Sequence, residues 1–259
     1  ETFADLDTPL SIYLKLANDP YSYLLESVQG GERFGRYSFI GLAAGTRIAV
    51  VEGAIMVLSG NRVAERRGHS NPMSFISEFM SRFKVPDLPG LPRFCGGLVG
   101  AFGYDTVRYI EAKLAHTAPP EAPGLAGMPD VLLLLTEELA VVDNLAGKIY
   151  LIVFADPADP HAHAHGMARL QELRRKLRAP VAIPFQTATP LTQAESEVGA
   201  EGFQNAVRRA KDYIAAGDIM QVVLSQRMHR PFADSPLSLY RALRSLNPSP
   251  YMFYYDFGD

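Results

Sequence analysis

At 259 residues, with 47% hydrophobic and 20% charged side chains, the chain has room for one large domain or two ordinary ones and the balance of a water-soluble globular protein. A net charge of -3, with no basic run beyond the RRKL stretch at Arg174, Arg175 and Lys176, argues against a nucleic-acid partner. The single cysteine, Cys95, excludes an intramolecular disulfide framework, and no apolar run reaches the roughly 18 residues that span a bilayer. The N-terminus shows no basic region followed by an apolar stretch, so no secretory signal is visible and a cytoplasmic location is expected.

In chain order, PLSIYLKLA at 9–17 alternates Ile12, Leu14 and Leu16 and predicts a strand, SYLLES at 22–27 the next, and RYSFIGL at 36–42 a third. TRIAVVEGAIMVLSGNRVAERR alternates apolar and polar residues around glycine turns at Glu52-Gly53 and Ser59-Gly60-Asn61, the pattern of a three-stranded meander. MSFISEFMSRF places Met73, Ile76, Phe79, Met80 and Phe83 on one helical stripe ahead of Pro86. FCGGLVGAFGYDTVRYIE is too rich in glycine for a good helix and suits a strand with close backbone approach.

A Pro/Ala loop at 115–129 precedes two expected strands, DVLLLLTEELAVVD and KIYLIVFA. Residues 159–178 read as a helix, and the aperiodic, proline-rich stretch 179–197 as a linker. EGFQNAVRRAKDYIAAG then predicts a helix with Phe203, Val207, Ala210, Tyr213 and Ile214 on one side and a left-handed cap at Gly217. IMQVVLSQRMHRPF reads as a strand, SPLSLYRALRSL as a helix stopped by Pro248, and the run from Tyr251 as a last strand. The sum is an α+β fold, largely antiparallel sheet with helices. Glu1 in place of an initiator methionine, and an end inside the strand-like run MFYYDF, create the expectation of a piece of a longer chain.

Few residues stand out chemically. His161, His163 and His165 cannot all share one helix face, so a solvated helix start is favoured over a metal site. GGLVGAFG lacks the Lys-Ser/Thr of a phosphate-binding loop and reads as structural, and Cys95 reads as a small core residue. Glu26 and Ser27 end an otherwise apolar strand, where such a pair either binds a ligand's ammonium or caps a turn. Asn247 and Ser249 each precede a proline and are held out of helical geometry. Gln221, in GDIMQVVLSQR, faces either solvent or a site.

Taken together, LLES at 24–27, GRYSFIG at 35–41, GGLVGAFGYDTVRYIE at 96–111, AKDYIAAGDIMQVVLSQR at 210–227 and NPSPYMFY at 247–254 resemble anthranilate synthase component I, a chorismate-utilising enzyme. Ala101 stands where that family has an aromatic residue. The resemblance covers nearly the whole chain and implies an N-terminal regulatory domain at 1–178, a linker at 179–197 and the start of the chorismate-binding α+β domain at 198–259. It also implies that the main catalytic residues and the magnesium ligands lie outside these residues, and that a separate glutamine amidotransferase subunit supplies ammonia.

Two sets of site residues follow from the resemblance. Feedback L-tryptophan is expected between Glu26 and Ser27 on one side and Asn247, Pro250, Tyr251 and Met252 on the other. Gln221 is expected to line the active site where water-adding relatives carry a lysine base, which points to the ammonia-using branch. The implied alternatives are aminodeoxychorismate synthase component I, of the folate pathway, and a non-catalytic tryptophan-binding module.

Overall fold

Thr8 decides the first element. Its side chain accepts from the Ser11 N–H at 3.1 Å while Ser11 Oγ accepts from the Thr8 N–H at 3.0 Å, and Pro9 occupies the first helical turn. The segment therefore forms helix α1 (Pro9–Leu16), burying Ile12, Tyr13 and Leu16 at helical spacing. The strand expected at 9–17 is corrected: the alternation of Ile12, Leu14 and Leu16 is also compatible with a helix, and the capping pair tips the balance.

The computed structural model describes residues 1–3, 6–28, 35–68, 71–114, 127–181 and 192–258. Most of the expected Pro/Ala loop (115–126) and of the expected linker (182–191) lies outside the described residues. The chain divides into two compact units, Glu1–Ile183 with Leu243–Asp259, and Pro184–Ala242. Among the described residues, no helix is long and apolar enough to cross a membrane.

The first unit holds two antiparallel sheets. One contains β1 (Thr2–Phe3), β2 (Ser22–Glu26), β3 (Tyr37–Gly41), β9 (Glu138–Asp143), β10 (Lys148–Val153) and β13 (Met252–Asp256), in the order β1-β10-β9-β3-β2-β13. The other contains β4 (Thr46–Val51), β5 (Ala54–Ser59), β6 (Arg62–Arg67), β7 (Gly97–Phe102) and β8 (Val131–Thr136), in the order β6-β5-β4-β8-β7. The meander is β4-β5-β6, and its first turn places both Glu52 and Gly53 at positive φ, as a tight two-residue hairpin turn requires. DVLLLLTEELAVVD, expected as one strand, is two. The chain passes from one sheet to the other at Glu137, between β8 and β9.

Helix α2 (Pro72–Ser81) lays Phe75 and Phe79 on one face of the five-stranded sheet, against Ile48, Val50, Ile55, Val57, Val131, Leu133 and Leu135. The two sheets meet through Tyr23, Val99 and Leu134, with Leu25, Phe39, Phe94 and Tyr255 packed around them. The buried Tyr23 hydroxyl lies 3.1 Å from Thr136 Oγ1, and burial raises its pKa well above the ordinary phenol value. Helix α3 (Ala162–Leu177) packs on α1 and β10, while α1 also covers β2 and β3. Burying these apolar faces is the main favourable term in the unit's stability.

The glycine-rich stretch forms the edge strand β7 and a 3-10 turn at Tyr104–Tyr109. A Cβ at Gly100 would sit 2.0 Å from the Leu132 carbonyl oxygen, so glycine there allows close strand approach.

The second unit contains β11 (Glu195–Ser196), α4 (Gly199–Ala216) and β12 (Met228–His229), which pairs with β11. Gly217 caps α4 in the left-handed conformation at φ 85°, as its position predicts. Of the stripe expected on α4, only Ala210 is buried. The strand expected at 219–232 is limited to Met228–His229, with Met220 and Val223 largely exposed. β-branched residues favour a strand only when a neighbouring backbone pairs with them, and among the described residues no strand pairs with 219–226. Helix α5 (Pro236–Leu246) begins in this unit and ends in the first.

Candidate functional site

Alternation along β2 sends Tyr23 and Leu25 toward the second sheet and leaves Ser22, Leu24 and Glu26 on the opposite, helix-covered face. Glu26 therefore ends the strand inside the protein, its side chain only 2% exposed. A carboxylate in that position needs a counter-charge and hydrogen-bond donors. Arg244, in the last turn of α5, supplies both: Nε donates to Oε2 at 2.6 Å and Nη2 to Oε1 at 2.8 Å, a bidentate pair. The guanidinium end is the wetter half, its side chain 37% exposed.

The turn from α5 into β13 fixes the other side of the site. The Asn247 N–H donates to the Leu243 carbonyl at 2.9 Å, closing the helix before Pro248. Ser249 Oγ donates to the Tyr251 carbonyl at 2.9 Å and accepts from the Tyr251 N–H at 3.2 Å, setting the direction in which β13 leaves. β13 then pairs with β2 in the register Met252↔Glu26, Tyr254↔Leu24 and Asp256↔Ser22. One step beyond that ladder, Ser27 Oγ donates to the Pro250 carbonyl at 2.8 Å.

Glu26, Ser27, Pro250 and Met252, expected in one place, are thus neighbours at one end of the β2–β13 ladder. Asn247 contributes the helix end, and Tyr251 is 71% exposed. Gln221 is exposed and belongs to the second unit. Behind Ser27, its N–H donates to the buried Ser38 Oγ at 3.3 Å, and Asn144 Nδ2 donates to the same oxygen at 3.2 Å. Nearby Asp143 is pushed up by burial. The Arg36 guanidinium and the Ala146 and Leu145 N–H groups overcome this and hold its carboxyl below the ordinary value. On the same helix-covered face Tyr254 meets Tyr13 edge to face, ring centroids 5.7 Å apart, and burial raises its pKa.

Sequence reasoning missed Arg244. The only signal was indirect: a glutamate closing an apolar strand calls for a cation, but nothing local says which of the many arginines answers. Ser38 was missed for the same reason, as one small polar residue in an apolar strand.

His165 Nδ1 lies 2.8 Å from Asp159 Oδ2, and its ring 5.9 Å from that of His161. Among the described residues no group of three or more His, Cys, Asp or Glu is placed to hold a metal ion. A separate cavity of about 790 Å³ in the first unit is lined by Phe83, Leu88, Leu91, Cys95, Glu137 and Phe154 among others. Burial raises the Cys95 thiol pKa, which disfavours a reactive thiolate there.

Comparison with known proteins adds to this geometry. Anthranilate synthase component 1 of Neisseria gonorrhoeae is 55% identical over 262 aligned positions, covering 100% of this chain and 52% of that protein. The protein of the same name from Pseudomonas aeruginosa is 51% identical, covering 100% of this chain and 53% of its own length. The crystal structure of anthranilate synthase component I from Streptococcus pneumoniae superimposes with a TM-score of 0.69 at 27% identity, over 100% of this chain and 55% of that one. The chain therefore spans about half the length of the curated relatives it matches. A model of the chorismate binding enzyme family matches residues 22–259, and the chain belongs to that family.

Proposed function

We propose that this chain is the N-terminal part of an anthranilate synthase large subunit, a lyase that turns chorismate and ammonia into anthranilate and pyruvate. The observation that carries the reading is identity above 50%, over the full length of this chain, to relatives bearing that name. On this reading residues 1–178 are the regulatory domain, 179–197 a linker and 198–259 the start of the chorismate-binding domain. The component 1 name of the relatives supports a second, ammonia-supplying subunit, taken here to be a glutamine amidotransferase. Magnesium, as the whole enzyme's cofactor, would act as a Lewis acid on substrate oxygens.

This chain's own residues contribute regulation and selectivity. Glu26, Ser27, Asn247, Pro250, Tyr251 and Met252 form the feedback site for L-tryptophan. A small amino acid needs acceptors for its ammonium and apolar wall for its ring. The Glu26 carboxylate and the Pro250 carbonyl are acceptors, and Met252 and Tyr251 are the apolar wall. Binding there acts on chorismate affinity through its differential affinity for two states of the enzyme. Gln221 lines the active site of the whole enzyme. Its neutral amide cannot take a proton from water, whereas ammonia is a nucleophile without a base.

Titration calorimetry of this chain with L-tryptophan, and separately with chorismate and magnesium, tests the assignment. Saturable heat with L-tryptophan alone supports a feedback site within these residues. No heat with L-tryptophan removes regulatory binding by the unaltered chain.

A further inference from the structure

Resting on the reading of the β2–β13 end as an amino-acid site, we infer that Arg244 is the internal competitor of that site: its guanidinium holds the carboxylate that a ligand's ammonium must take, and so sets the affinity for amine-bearing ligands. Both Glu26 oxygens are engaged by Arg244, at 2.6 and 2.8 Å, and the carboxylate is almost entirely shielded from water. An incoming cation does not add to such a pair; it replaces one member of it, because two cations on one buried carboxylate leave an uncompensated charge.

The two halves of the pair differ in how readily they leave. Glu26 sits on a paired strand, fixed by its register opposite Met252. Arg244 sits at the end of a long side chain in a last helical turn, more than a third open to solvent, so water receives its released guanidinium at low cost. The replacement is chemically matched. An ammonium has three donors, and the acceptors at the end of the ladder and just beyond it are the Glu26 carboxylate, the Ser27 hydroxyl and the Pro250 carbonyl. Exchanging guanidinium for ammonium leaves the net charge of the site unchanged. A ligand without an amine gains nothing from it.

The test is calorimetric titration of the wild-type chain and of Arg244→Gln, Arg244→Lys and Glu26→Gln with L-tryptophan, tryptamine and indole-3-propionate. Arg244→Gln is expected to tighten both amines by about fivefold, the scale of a bidentate ion pair partly open to water, and to leave indole-3-propionate unchanged. Arg244→Lys, which keeps the charge but loses the fork, falls between, and carries the comparison alone if Arg244→Gln does not fold. Glu26→Gln loses the two amines. Binding by Arg244→Gln where the wild type shows none also supports the competitor role. If the wild type binds L-tryptophan and neither Arg244 variant binds it more tightly, the competitor role is wrong while the site stands. Equal tightening of indole-3-propionate overturns it as well, since that marks a general loosening. No binding by the wild type or by either Arg244 variant overturns both the competitor role and the site.

Discussion

Glu26 and Arg244 lie 218 positions apart in the chain and form a bidentate ion pair in which the carboxylate is buried and the arginine side chain more than a third open to water. The asymmetry has an energetic consequence. Truncating the wet partner strips a buried charge of its counter-ion, while truncating the buried partner leaves a cation that water solvates. Arg244→Ala is expected to cost about 2 kcal/mol or more, and Glu26→Ala less. Urea midpoints of the two variants in the same buffer check the order; equal losses would contradict it.

Ser27→Phe tests the proposed feedback site with little risk to the core. Ser27 is only part-buried, and its hydroxyl donates a hydrogen bond to the Pro250 carbonyl. A phenyl group there loses that bond and obstructs the space beside Pro250. L-tryptophan binding should disappear in calorimetry while the far-ultraviolet circular dichroism spectrum stays that of the wild type. Unchanged affinity would remove Ser27 from the site.

Gly41 faces Tyr23 across the β2–β3 ladder, and a Cβ there would sit 2.0 Å from the Tyr23 ring. The ring is buried between the sheets with its hydroxyl beside Thr136, so it has little room to move. Gly41→Ala should destabilise by about 2 to 3 kcal/mol through overpacking. A thermal midpoint within a degree or two of wild type would show that the ring relocates freely.

Asp143 predicts a pH dependence. Its folded pKa is depressed, so its stabilisation is complete above the ordinary carboxylate value of about 4 and is lost as pH falls through the lower folded value. Asp143→Asn should lower stability at neutral pH and flatten the acid limb of the urea-midpoint profile. Parallel profiles for variant and wild type would rule out this contribution.

Gln221 makes a prediction for the proposed full-length subunit. Gln221→Lys supplies an amine able to act as a base toward water, and some isochorismate should appear beside anthranilate. Product analysis by chromatography decides; anthranilate alone would mean that the side chain at this position does not select the nucleophile.

Period-two patterns and glycine turns were legible where the signal is local. The β4-β5-β6 meander, the glycine-rich β7 and the Gly217 cap all lie where residue order places them. Readings failed where two local patterns competed or where pairing was assumed. Ile12, Leu14 and Leu16 fit a strand as well as a helix until the Thr8–Ser11 cap is weighed. Residues 219–226 have strand composition, but no strand among the described residues pairs with them. Nothing in DVLLLLTEELAVVD shows that the chain changes sheets at Glu137, because both strands are equally apolar.

The sequence by itself determined the α+β class, the order of motifs that carries the family resemblance, and the oddity of a glutamate ending an apolar strand. Tertiary structure alone decided which cation answers that glutamate, and it did so by register. Pairing β13 to β2 with Met252 opposite Glu26 brings in the end of α5, and Arg244 with it. Propensity and periodicity act over a few residues, whereas the cost of burying a charge depends on what lies within a few ångströms in space. Only the folded chain fixes that neighbourhood.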